Sequence, residues 1–461
     1  TRAAGALLAA LRDGLAALER AAPGLERHVA LVSLLLAAGE LAQGLGDRAF
    51  AEHGRDERDR PSHLAMTLTV ALARQVWRSH RSGYAAAPSG REARAALWRL
   101  ARAVANEPLC IRSAEGFQHY AVYPETFGAA AALDGEPPGA VLGIRTIGTT
   151  LSAMVAAAFP RPRVPLTVRP FGHPFDRRID LGPRMSRALA RARGPIAVVD
   201  EGPGLSGSSF GAAIDALGAA GVAEPRVRLF PSHHALGPRA SARTRARWAR
   251  MDRRAVSFEA ELLGDGPTGL GAWTAALTGA QTAPPEDVGA GRWREHLFDD
   301  RSRWPPACAT RERRKHLLRA GGRRFLARFA GLGAAGEASH RRARLLADAG
   351  FSPPVLGLRH GFLVQPWLDG ARPLALDHPR LPRRELLARL ADYLAFRGAG
   401  FEAAAGSGAG PQALLATAMT NAGEVLDAGD VRRLERFVPW LDELGRAARP
   451  TEVDARMHAW E

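Results

Sequence analysis

Ile196-Ala-Val-Val-Asp-Glu-Gly-Pro-Gly-Leu-Ser-Gly-Ser-Ser-Phe210 runs four apolar residues into two adjacent carboxylates, Asp200 and Glu201, and follows them with a loop of small residues. Beyond the loop, Phe210, Ala213, Ile214 and Leu217 recur at helical spacing, and Gly221 stands where such a helix would stop. A short apolar run bounded by a Gly/Pro loop reads as a buried strand. A strand, loop and helix in that order belong to an open α/β sheet, which binds ligands beyond the carboxyl ends of its strands. Placed there, Asp200 and Glu201 can accept hydrogen bonds from ribose hydroxyls. Gly202 to Ser209 can bring backbone N–H groups close to a phosphate at the start of the helix.

This stretch resembles the phosphoribosyl-pyrophosphate (PRPP) motif of type I phosphoribosyltransferases: an apolar strand, two acidic residues, and a loop ending in Gly and Thr or Ser. The resemblance implies that Asp200 and Glu201 grip the ribose and tolerate the positive character that develops at C1′. It implies that Gly204, Leu205, Ser206, Gly207, Ser208 and Ser209 hold the 5′-phosphate. One position departs from the pattern. Many members carry Asp or Thr fifth in the motif, where it assists the base or nucleophile; here it is Gly204, and an acid–base role is lost.

Upstream, Ala140-Val-Leu-Gly-Ile-Arg-Thr-Ile-Gly-Thr-Thr150 is a second apolar strand leading into a Gly/Thr turn. Leu151, Met154, Val155 and Phe159 then mark a core-facing helix, with Thr149 or Thr150 as its expected N-cap. Type I phosphoribosyltransferases place a pyrophosphate loop here, so the resemblance assigns that role to Arg145, Thr146, Gly148 and Thr149. Between the motifs, residues 164–180 read as a strand, a Pro/Gly/His loop and a basic return. The family's mobile hood lies at this point, which makes Arg169, Arg177 and Arg178 candidates to neutralise departing pyrophosphate. His173 reads as a loop residue. Val227-Arg-Leu-Phe230 is the next parallel strand, and Cys110 to Glu125 is expected to supply strands entering the same sheet.

The chain has 461 residues, enough for several domains, and a formal charge of +16. Such a charge usually suggests nucleic acid. Lys315 is the only lysine, however, and Ala, Arg, Gly and Pro abound, so arginine takes the place of lysine on ordinary surfaces. The densest basic stretch, Arg239 to Arg254, holds one aromatic, Trp248, and reads as a solvated helix face. Nucleic acid is not favoured as a partner. Two distant cysteines, Cys110 and Cys308, offer no disulfide framework and point to a reducing, cytoplasmic setting. No signal segment is visible, and the apolar uncharged run Val29 to Gly39 is too short to span a bilayer. The opening Thr1 and the ending at Trp460-Glu461 suggest a piece of a longer protein.

The expected organisation is a helical module over 1–88, a phosphoribosyltransferase-like domain over 89–262, a linker over 263–310 and an α+β domain over 311–461. The module carries stripes at Leu7, Leu11, Leu15 and Leu18 and at Leu64, Leu68, Leu72 and Val76, the latter capped by Ser62. It is expected to cover the enzyme's edge or to form a homodimer contact. Glu40, Gln43 and Asp47 lie at helical spacing; they could face a ligand, but surface placement is the expected reading. The pair His233-His234 lacks metal-site spacing.

Residues 311–375 are similar to the small lobe of aminoglycoside-phosphotransferase-like kinases, ending in Gly361-Phe-Leu-Val-Gln-Pro-Trp-Leu-Asp-Gly370. Arg328 stands at the strand-lysine position and Glu337 at that of its helix partner. There is no such lysine and no catalytic loop; Asp454 is followed five residues on by Ala459 rather than Asn. The leading expectation is thus a glycosyltransferase of the phosphoribosyltransferase type. It would act on PRPP and a small-molecule acceptor, with Mg²⁺ held mainly through PRPP and no protein-held metal. A PRPP- or nucleotide-sensing protein without turnover and a kinase relative are the alternatives.

Overall fold

The computed structural model describes residues 1–87, 89–104, 108–309, 312–371, 382–403 and 408–453. They fall into two compact units, Thr1–Asp299 with Ala307–Asp369, and Asp300–Pro306 with Gly370–Glu461. The division lies inside the stretch 311–461 that was expected to be one domain.

The first unit opens with β1 (Arg2–Ala3), α1 (Ala4–Arg20), α2 (Leu25–His53) and α3 (Arg60–Arg81). Leu7, Leu11, Leu15 and Leu18 bury one stripe of α1. Among the described residues α2 is the one helix long and apolar enough to cross a membrane, and 67% of its apolar window is buried by other elements. The cap of α3 is Asp59, whose carboxylate accepts the Ser62 N–H at 2.9 Å. Ser62 is therefore inside the helix, not its cap. Pro61 explains the shift: it needs no donor in a first turn, so the helix begins at Arg60.

After α4 (Arg91–Ala101), β2 (Pro108–Leu109) pairs antiparallel with β1. The strands expected over Cys110 to Glu125 do not form. That segment makes a helical turn, α5 (Glu115–Gln118), and the start of α6 (Pro124–Asp134). Pro124 fixes a helical φ in the first turn of α6 and outweighs the β preference of Val122 and Tyr123.

Next come β3 (Ala140–Ile144), α7 (Gly148–Ala157), β4 (Leu166–Val168), a hairpin of β5 (Phe171–His173) and β6 (Asp176–Arg178), and α8 (Pro183–Arg191). β7 (Ile196–Val199), α9 (Ser208–Ala219), β8 (Val227–Phe230), α10 (Ala242–Arg250) and β9 (Asp252–Arg253) follow. The strands outside the hairpin form one parallel sheet in the order β4-β3-β7-β8-β9. The chain moves outward from β3 to β4 and returns on the other side to β7, so strand order reverses between β3 and β7. Side chains of β7 alternate between two cores. Ile196 and Val198 pack with Leu189, Phe210 and Trp248, while Ala197 and Val199 join the core of α2, α3 and α7. α7 lies so close to the sheet that a Cβ on Gly148 would be 2.5 Å from the Val199 carbonyl oxygen. Because α7 starts at Gly148, Thr149 and Thr150 are buried in its first turn and do not cap it.

After α11 (Phe258–Leu262), the expected linker contains α12 (Leu270–Thr278) and β10 (Glu286–Asp287). Leu270 and Trp273 are core residues, and Trp273 Nε1 donates to Tyr84 Oη at 3.0 Å. A helix this short between glycines leaves too little sequence for a period to show. β11 (Lys315–Ala320), β12 (Arg323–Phe329), α13 (Gly333–Asp348), β13 (Gly357–Arg359) and β14 (Phe362–Pro366) complete the unit. They build an antiparallel sheet in the order β10-β11-β12-β14-β13. Its inner face, Phe325, Ala327, Phe329, Phe362 and Val364, belongs to the same core as α1 to α3. The N-terminal helices therefore share one core with both sheets and are not an edge cover.

The second unit is helical among its described residues: α14 (Arg383–Gly400), α15 (Pro411–Gly423), α16 (Ala428–Arg432) and α17 (Leu441–Ala447). Arg397 is buried there and donates from Nε and Nη2 to the Glu452 carbonyl. Asp454 and Ala459 lie outside the described residues.

Candidate functional site

β7 delivers Asp200 and Glu201 to the carboxyl edge of the parallel sheet, beside the reversal of strand order where open sheets bind ligands. The loop that follows turns through Gly204 at φ 59° and Gly207 at φ 72°. Both lie in the left-handed region, which gives Gly204 a conformational reason to stand where the family often has Asp or Thr. The loop is braced from outside by Gly237 N–H on the Gly204 carbonyl at 3.1 Å and Arg239 N–H on the Leu205 carbonyl at 3.0 Å. α9 then begins at Ser208, with its first N–H groups at the loop.

Asp200, Glu201, Gly204, Leu205, Ser206, Ser208 and Ser209 line a cleft of about 660 Å³, and Arg177 of the hairpin lines it with them. Gly207 does not reach its wall. Burial pushes the Asp200 carboxyl up to about 8; the Glu201 charge adds to this, while the Glu201 N–H, 2.8 Å from Oδ1, and Arg169 oppose it. Burial also pushes Glu201 up to about 7, with the Glu115 charge adding and the Gly116 N–H opposing. The tip of the hairpin rests on the loop. Ser208 Oγ donates to the Pro174 carbonyl at 2.7 Å, and Ser206 Oγ donates to it at 3.4 Å. Arg177 Nη1 donates to the Gly172 carbonyl at 3.0 Å, while Arg178 and His173 are exposed.

The loop after β3 is arranged differently from the expectation. Arg145 is 3% exposed and turns into the protein, with Nε 3.0 Å from Asp47 Oδ1, an ion pair to Asp56, and bonds to the Thr167 carbonyl and hydroxyl. Arg169 is held on both Asp47 oxygens, at 2.8 Å from Nε and 2.5 Å from Nη2. Its Nη1 reaches the Arg145 carbonyl and Thr146 Oγ1, and its backbone N–H reaches Asp56 Oδ2 at 2.7 Å. Thr149 is buried. Of the seven residues assigned to pyrophosphate, Arg177 is the one that lines the cleft; Arg145, Thr146, Gly148, Thr149, Arg169 and Arg178 do not. α5 stands between the two loops. A Cβ on Gly116 would lie 2.6 Å from Ile147 Cδ1 and 2.8 Å from the Glu201 carboxyl carbon, so glycine is what admits the carboxylate there.

Two aspartates were not singled out as site residues from sequence. Asp47 and its neighbour Gln43 were expected at the surface, yet Gln43 is fully buried. Gln43 Nε2 donates to Asp47 at 2.5 Å and to the Cys110 carbonyl, and its Oε1 accepts the Arg112 N–H at 2.9 Å. Polar residues at i, i+3 and i+7 on an otherwise apolar helix were the available signal: a buried stripe of that kind needs partners. Asp56, in the loop after α2, had no local signal.

No match to the chain is found among protein-family models, curated proteins or solved structures.

Proposed function

We propose that this chain binds PRPP at the carboxyl end of β7 and transfers its phosphoribosyl group to a small-molecule acceptor with release of pyrophosphate. The observation that carries the reading is the convergence of Asp200, Glu201, the Ser206–Ser209 loop and Arg177 on one cleft beside the reversal of strand order. In this reading Asp200 and Glu201 accept the ribose hydroxyls in their ionised forms. The 5′-phosphate takes N–H groups at the start of α9 and the hydroxyls that now contact Pro174. Hard carboxylate oxygens at the cleft suit Mg²⁺, which would be held chiefly by PRPP oxygens and would supply charge neutralisation of the leaving pyrophosphate. Two exposed cysteines far apart in sequence, Cys110 and Cys308, fit a reducing, cytoplasmic setting.

A specific observation favours a second reading, a PRPP sensor without turnover: Arg145 and Arg169 are already neutralised by Asp47 and Asp56. Calorimetry with PRPP and Mg²⁺, run beside a pyrophosphate-release assay over a panel of acceptors, separates the two. Binding with release supports transfer; binding without release under every acceptor supports sensing. Asp200→Ala with Glu201→Ala is expected to remove PRPP binding from a protein that still folds. Unchanged binding in that variant overturns both. The kinase reading finds less support. Among the described residues no ion pair joins Arg328 to Glu337, and Glu337 instead faces Leu25 and Ser33 of the N-terminal helices across a small cavity.

A further inference from the structure

Away from the cleft, His28 of α2, Glu125 of α6 and His360 of the β13–β14 turn converge inside the first unit. Both imidazole Nε2 atoms lie 2.8 Å from one oxygen, Glu125 Oε1, and no side chain of the three is more than 1% exposed. The other oxygen, Glu125 Oε2, is buried with no hydrogen-bond partner. A hydrogen-bonded triad alone leaves that oxygen unmet, at a cost of about 1–3 kcal/mol; a cation between the three groups removes the deficit.

The surroundings hold the donors in place. His28 Nδ1 is 3.1 Å from Ser79 Oγ, and the His360 carbonyl accepts from Tyr123 Oη at 2.6 Å. Tyr84 packs on His28 with ring centroids 4.5 Å apart, and Trp273 meets His360 edge-on at 4.8 Å, an aromatic jacket that excludes water. His360 has φ 41°, a left-handed conformation that a non-glycine residue keeps only where its surroundings impose it. Neutral imidazole and ionised carboxylate are the forms that ligate metal.

We propose that His28, Glu125 and His360 bind one divalent transition-metal ion, with Zn²⁺ the ion their donor set suits, as a structural clamp joining the N-terminal helices, the α6 layer and the antiparallel sheet. Two imidazoles and a carboxylate are typical zinc donors, and Glu125 Oε2 can add a second, longer contact from the same carboxylate. Ligand bonds of about 2.0–2.1 Å place tetrahedral donors roughly 3.3 Å apart, so the present 2.8 Å contacts open by about half an ångström, within side-chain rotation. Coordination through Nε2 puts the His28 proton on Nδ1, facing Ser79 Oγ as acceptor. The ligands are 97 and 235 residues apart along the chain, so the ion closes long loops, and its binding energy becomes folding energy.

The test uses the full chain expressed in zinc-supplemented medium, dialysed against EDTA while native, and analysed for Zn, Mn, Fe, Co, Ni and Cu by mass spectrometry. About one equivalent of zinc per chain is expected, released to a chromophoric chelator only as guanidinium unfolds the protein, because the site is closed to solvent. His28→Gln and Glu125→Gln are expected to lose that zinc, whereas His233→Ala with His234→Ala keeps it. The proposal is overturned by wild-type protein that retains less than about a tenth of an equivalent of every one of these metals. Zinc that stays in a folded Glu125→Gln variant, or leaves with the His233/His234 substitutions, also overturns it. Should both triad variants fail to fold, the wild-type metal content alone decides.

Discussion

At the end of β7, burial keeps Glu201 protonated up to about pH 7 and Asp200 up to about pH 8. Unfolded carboxyls titrate near 4, so between about pH 4 and pH 8 the folded chain binds more protons than the unfolded one. Stability from these groups is thus complete below pH 4 and lost as pH rises through their folded values. The thermal midpoint is expected to fall between pH 5 and pH 8.5, with a slope of at most about 1.4 kcal/mol per pH unit from each group. Asp200→Asn should flatten it. A wild-type midpoint that climbs over this range contradicts the assignment, as does an unchanged slope in the variant. PRPP affinity should move the other way, rising through pH 7 to 8 as the diol acceptors ionise. Asp47 makes a different residue-scale point, because it partners two arginines that are 3% and 15% exposed. Asp47→Asn leaves both short of charge, and a loss of about 3–5 kcal/mol is expected in guanidinium unfolding. A loss under about 1 kcal/mol would mean that Asp56 alone neutralises the pair.

Among the elements, those whose signals are local were legible. The apolar runs of β7 and β8 and the stripe of α9 were each read with correct type from neighbours in sequence. Elements decided by tertiary context were not. Val122-Tyr123 reads as strand until Pro124 is weighed as a helix start, and the basic loop after β3 reads as a ligand clamp until α2 brings Asp47 to Arg145. Half of the candidate site, the acids and the Ser loop, was therefore visible, and the neutralised arginines were not. The β5–β6 hairpin is the element most open to test, since its packing on the loop runs through Pro174 and two hydroxyls. Ser206→Ala with Ser208→Ala removes that latch. Trypsin should then cut at Arg177 and Arg178 several-fold faster in unliganded protein, because local opening governs cleavage. Equal cutting rates would show that the hairpin is held by other contacts.

Across the first unit, α2 does work that its sequence suggests only by being apolar on nearly every side. It supplies Leu31, Leu35, Leu41 and Leu45 to a core that also contains Val199 of the parallel sheet and Phe329 of the antiparallel one. It supplies Asp47 behind the β3 loop and His28 to the buried triad. A helix shared in this way links the two sheets through one core, since it packs on α7, which covers the parallel sheet, and on α13 beside the antiparallel one. Leu35, wholly buried, is the position at which to measure the coupling. Leu35→Ala is expected to cost about 2–5 kcal/mol. Amide exchange is expected to quicken together in peptides covering Ile196–Val199 and Arg323–Phe329, although neither strand contains the substitution. Exchange that quickens in one strand while the other keeps its wild-type protection would show that the sheets open independently, and that α2 lies between them without joining them.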